Sequence, residues 1–163
     1  MSHFSARSQY IKALETASKR KVDNIKHPKN IKIALKKILF ICVENACRSQ
    51  IAEALFNKHA SGKAVAISAG TKPAEQVNPK AVEVMKEIGI DISKQKPKIL
   101  TSQMIKEADR IVTMGCSTDF CPAPHIKTED WNIEDPSGKP ITKFREVRDQ
   151  IKKKVEKLIR EIS

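Results

Sequence analysis

No stretch of the 163-residue chain approaches the roughly 20 apolar residues that span a bilayer, so a membrane-embedded role is not expected. The N-terminus is polar and basic and has no apolar signal segment, which points to a cytoplasmic protein. Cysteine is scarce, with four in all. Without a signal peptide, so few thiols read as catalytic, redox-active or metal-binding rather than as a structural disulfide framework. There is no internal repeat and no low-complexity tract. Acidic residues are also outnumbered, 19 against 31 Lys and Arg, which leaves a net charge of +12.

That charge is uneven. Residues 1–37 hold 10 Lys and Arg and 2 acidic residues, whereas the remainder holds 21 and 17. Residues 1–35 therefore read as a basic N-terminal extension, helical or partly disordered. Within it, residues 9–21 fit a helix that His27-Pro28 breaks. The arm lacks the glycine- and aromatic-marked signature of a nucleic-acid module, so nucleic acid is not the expected partner.

Residues 36–163 read as one compact domain. Apolar patterning predicts a strand at 37–42, a loop at 43–48, a helix at 49–60 and a strand at 64–69. Asn78 then suits a cap and Pro79 a first helical turn, with Gly89 near the far end of that helix. A short helix at 102–108 and a strand at 110–114 follow. A loop of about 25 residues comes next, long enough to be suspected of function. Phe144, Val147, Ile151, Val155, Leu158 and Ile162 trace the stripe of a final helix. Such alternation predicts an α/β fold with a parallel sheet covered on both faces. Ligands of these sheets bind at the carboxyl ends of the strands, so Cys42 and Gly115-Cys116 are expected at one crevice.

The run Cys42-Val43-Glu44-Asn45-Ala46-Cys47-Arg48-Ser49 carries the chemistry. A helix start offers unpaired N–H groups and partial positive charge to an anion. The Arg48 guanidinium adds a planar fork suited to a tetrahedral oxyanion. The same field favours the thiolate of Cys42 as a nucleophile. Asn45 tolerates a left-handed turn, and the Ser49 hydroxyl can donate to the Cys42 sulfur. Cys47 reads as buried and structural, and His59 and His125 as ordinary surface or loop residues.

These residues resemble the phosphate-binding loop of the low-molecular-weight protein tyrosine phosphatases and of the arsenate reductases built on that fold. Ser68-Ala69-Gly70-Thr71, Asn78-Pro79-Lys80-Ala81 and Asp135-Pro136 extend the resemblance over roughly residues 37–160. It implies a three-layer α/β/α domain around a central parallel four-stranded sheet. It further implies Cys42 as nucleophile, residues 43–49 as the substrate-binding loop with Arg48 on the oxyanion, and Asp135 as general acid. Glu44 departs from the pattern, because the family usually has glycine there.

Cys116 and Cys121 separate two branches of the family. Arsenate reduction takes two electrons, which a dithiol supplies on becoming a disulfide. The pair resembles the resolving cysteines of disulfide-cascade arsenate reductases, and Trp131 with Asp135-Pro136-Ser137-Gly138-Lys139 also looks more like that branch. The resemblance implies a Cys42, Cys116, Cys121 relay, no bound cofactor, and an external thiol reductant such as thioredoxin. Rival readings of the pair are inert core thiols, or zinc held by Cys47, Cys116, Cys121 and His125 at spacing that is not characteristic. Rival functions are a tyrosine or small-phosphoester phosphatase, and a redox- or arsenic-sensing regulator with a nucleic-acid-binding arm. Asn45, Glu53 and Ser68 resemble positions that bind potassium in some relatives. Lys98 opposes a cation there, so no metal is expected and its ammonium is the candidate substitute.

Overall fold

A computed structural model describes residues 35–115 and 128–163. The expected helix at 9–21, its break at Pro28, and Cys116, Cys121 and His125 lie outside the described residues. The elements run in the order β1 (Lys36–Cys42), α1 (Arg48–His59), β2 (Ala64–Gly70), α2 (Pro79–Lys86), α3 (Ser102–Glu107), β3 (Arg110–Thr113), β4 (Thr128–Asp130) and α4 (Ile141–Ile162). The four strands form one sheet in the order β2-β1-β3-β4, and every pairing is parallel.

β1 shows why the sheet is central. Residues 38–42 are all buried, as a strand covered on both faces requires. Ile38, Phe40 and Cys42 enter a core with α1, α2 and α4, while Leu39 and Ile41 enter a second core against which Met104 and Ile105 of α3 pack. The period-two alternation of one apolar run thus fills two cores and separates three layers. Phe40 lies at the centre of the larger one, 6.1 Å from the Phe56 ring and 5.5 Å from Trp131 between centroids.

The helices follow their local signals. At α2 the Asn78 side chain accepts from the Lys80 N–H at 2.9 Å, and Pro79 occupies the first turn. In α4 the expected stripe is buried from Phe144 to Leu158, and Arg148 is buried with it. The long loop after β3 is interrupted by β4, a strand that patterning misses. Its three residues, Thr128-Glu129-Asp130, carry no apolar alternation and owe their conformation to pairing with Ile111, Val112 and Thr113. Among the described residues no helix is long and apolar enough to cross a membrane.

Candidate active site

Parallel register brings the strand ends together. Cys42 stands opposite Gly70, and Ile41 opposite Thr113, so the loops after β1, β2 and β3 leave from one edge. The chain between β1 and α1 is bound from outside: the N–H groups of Lys72, Ala74 and Asn78 donate to the carbonyls of Val43, Glu44 and Ala46 at 2.8–2.9 Å. Turning those carbonyls outward leaves amide N–H groups for the interior of the loop, a concave anion-binding arrangement. The Asn45 N–H accordingly points at the Cys42 sulfur, 3.2 Å away.

Two backbone constraints fix the loop. Asn45 has φ +48°, the left-handed conformation expected of it. Gly70 presses directly beneath: a Cβ there would meet the Val43 carbonyl oxygen at 2.5 Å and Asn45 N and Cβ at 2.9 Å, so only glycine admits this approach. α1 then begins at Arg48 with neither an acidic first turn nor a side-chain cap from Cys47, which keeps its first N–H groups available to an anion.

Cys42 is 3% exposed, and its sulfur lies 2.9 Å from the Ser49 hydroxyl. Asn45 Nδ2 donates to that same hydroxyl oxygen at 2.7 Å, leaving the hydroxyl proton for the sulfur. Arg48 is buried to 8% exposure; its Nη1 donates to the carbonyls of Met114 at 2.9 Å and Ile133 at 2.8 Å. Its Nη2 faces Asp135 Oδ2 at 3.3 Å. Cys42, Glu44, Cys47, Arg48, Asp135 and Ser137 line one small cleft. A larger groove of about 770 Å³ between Glu75, Val82 and Lys96 has no thiol in its lining, and chemistry favours the small cleft.

Cys47 is a different thiol from Cys42. Burial pushes its ionisation well above the ordinary range, the neighbouring Cys42 and Asp135 add to the rise, and Arg48 opposes it. Glu44 and His59 are exposed. Glu53 accepts a hydrogen bond from the Ser68 hydroxyl, and Lys98 Nζ stands 3.5 Å from the same carboxylate oxygen. The Lys98 backbone N–H donates to Asn45 Oδ1 at 2.8 Å. A lysine ammonium thus sits beside the Asn45, Glu53 and Ser68 cluster.

Sequence reasoning missed Gln50, which is fully buried and bonded to Asn45. It also missed the carbonyls of Met114 and Ile133 that hold Arg48. The first had a signal in principle, since an amide opening an otherwise apolar helix face needs partners. Backbone carbonyls leave no trace in a sequence.

Residues 37–163 match the family described as low molecular weight phosphotyrosine protein phosphatase. An arsenate reductase of Staphylococcus haemolyticus is 42% identical over 124 residues, covering 74% of this chain and 94% of that protein. A solved structure of an arsenate reductase in the phosphate binding state superposes with a TM-score of 0.72 at 38% identity, over 79% of this chain and all of the other. A thioredoxin-dependent arsenate reductase of Corynebacterium glutamicum superposes with a TM-score of 0.68 at 37% identity, over 78% and 62%.

Proposed function

Since the chain belongs to the low molecular weight phosphotyrosine protein phosphatase family, with arsenate reductases among its similar relatives, we propose that it reduces arsenate to arsenite. The observation that carries the reading is the cleft: a buried thiol with two hydrogen-bond donors at its sulfur, and a guanidinium and a carboxyl on the same lining. Phosphate and arsenate both fit such a cleft, and the relatives favour arsenate.

The Cys42 thiolate attacks arsenic held by the loop N–H groups and Arg48. A sulfur–arsenic bond forms and an arsenic–oxygen bond breaks, with Asp135 giving its proton to the departing oxygen. The position of Asp135 supports this, because a carboxyl 3.3 Å from the guanidinium reaches an oxygen that the guanidinium binds. Cys116 then attacks the Cys42 sulfur. The sulfur–arsenic electron pair stays on arsenic, which is thereby reduced, and arsenite leaves a Cys42–Cys116 disulfide. Cys121 attacks Cys116, releases Cys42 as thiolate and leaves Cys116–Cys121. An external dithiol returns the two electrons; the Corynebacterium relative makes a thioredoxin-class protein the proposed donor. A cycle that consumes reduced thiols fits the cytoplasm. Residues 1–35 are assigned as an extension outside this chemistry, and no bound metal or cofactor takes part.

The test is to incubate the reduced protein with arsenate and map disulfides by mass spectrometry. A Cys116–Cys121 bridge that forms only with arsenate supports the relay. Cys116→Ser separates the reading from its rival: it should abolish arsenite production yet leave any phosphoester turnover. Arsenate reduction that survives the double replacement of Cys116 and Cys121 by serine overturns the relay.

A further inference from the structure

Gln50 is 0% exposed and lies one residue beyond Ser49. Its Nε2 meets three oxygens: the Asn45 carbonyl at 3.0 Å, Asn45 Oδ1 at 3.1 Å and the Lys96 carbonyl at 3.2 Å. Two of these are backbone acceptors, which fixes the amide's orientation. Its own Oε1 is buried and has no donor among the described residues. The fold tolerates that orphaned acceptor in order to place one NH2 group among three oxygens that would otherwise repel one another.

The consequence runs through Asn45. Asn45 Oδ1 accepts from Gln50 and from the Lys98 backbone N–H, which can only donate, so Asn45 Nδ2 must face Ser49. Ser49 therefore has its oxygen occupied by Nδ2 and its proton directed at Cys42. If the Asn45 amide turned over, its oxygen would take the Ser49 proton and the sulfur would lose a donor. Gln50 ties Asn45 to the 96–98 segment that supplies the Lys98 N–H, and so guards that orientation.

We infer that Gln50 is a positioning residue, a buried clasp that fixes the Asn45 amide so that the Ser49 hydroxyl donates to the Cys42 thiolate. It touches neither sulfur nor substrate. The inference rests on the reading of Cys42 as the attacking thiolate, but its test needs no turnover.

The experiment measures iodoacetamide alkylation of Cys42 against pH in the full-length protein, quantified peptide by peptide so that Cys47, Cys116 and Cys121 are resolved. Arg48, Glu44, Cys47 and Asp135 on the cleft, and Lys98 and Glu53 behind Asn45, are common to all variants, so any displacement of the profile belongs to the substitution. Gln50→Met removes the donor, and Gln50→Leu removes it with a different shape, neither adding a charge near the thiolate. The comparison uses whichever variant retains a cooperative thermal transition. The expected result is a profile displaced to higher pH, with alkylation near neutrality slowed about fivefold, the scale of one lost hydrogen bond. In a Ser49→Ala background the same substitution should add no further displacement, because the route to the sulfur is already cut. A folded variant with the profile of the unmodified protein overturns the inference, and so does a displacement that simply adds to that of Ser49→Ala. Undiminished arsenate turnover in Cys42→Ser would instead sink the proposed function and leave the Gln50 measurement readable.

Discussion

At the scale of single residues, the buried Cys47 thiol makes stability depend on pH. The folded chain holds the Cys47 proton that an unfolded chain releases near 9.0, so stability should fall as pH rises past that value. Cys47→Ala should remove this alkaline loss, as thermal unfolding measured on either side of it will show. Gly70→Ala should displace the loop, because the added Cβ meets backbone rather than a flexible side chain. Phosphate binding measured by calorimetry should weaken in step with a lowered melting temperature. Much of this site was legible beforehand. A cysteine ending an apolar run, an arginine opening a helix, and Asn45 and Ser49 between and beside them all have spacing that sequence preserves. Gln50 and Gly70 were not read as parts of the site, because their roles depend on approaches from the 96–98 segment and the end of β2 that only the folded register creates.

At the scale of elements, α2 and α4 are joined by one carboxylate. Glu87, just past α2, receives Arg145 at 2.8–3.0 Å and Arg148 at 3.0 Å, and Arg148 also donates to the Val84 carbonyl. The hydrogen bond from Arg145 holds the Glu87 carboxyl below its ordinary 4.5, with Arg148 adding to it against the cost of burial. A depressed carboxyl contributes stability above its unfolded value, and loses it as pH falls through the folded one. Glu87→Gln should therefore lower the melting temperature near pH 6, the gap should narrow steadily as the pH is taken down below the ordinary carboxyl value, and high salt should shrink it. Phe40→Ala, which empties the space between Phe56 and Trp131, should cost about 3–5 kcal/mol in denaturant unfolding. The three longer strands and the final helix were legible because burial imposes period two and period 3.6 on apolar residues. β4 was not, since three polar residues, two of them exposed, carry no period and are held by a neighbour distant in sequence.

At the scale of the whole molecule, the excess charge is concentrated before β1, while the described elements that build the cleft begin at Lys36. Removing residues 1–34 should leave arsenate turnover unchanged and lower the isoelectric point, as steady-state assays and focusing will establish. The α/β class and the order of elements were legible at this scale. What binds the parts at a distance was not, and Arg48 is the clearest case. Its Nη1 reaches carbonyls 66 and 85 residues away, at Met114 and Ile133. One cation thus fastens the residue after β3 to the segment after β4, where no covalent bond does. In sequence, both proposed relay thiols, Cys116 and Cys121, fall between those two residues. The fastening group is the same guanidinium proposed to grip the oxyanion, so Arg48→Lys, with one point charge and no fork, both loosens that joint and weakens the hold on the anion. Turnover should fall by about a hundredfold or more, and backbone hydrogen exchange at Gly115 should quicken along with it.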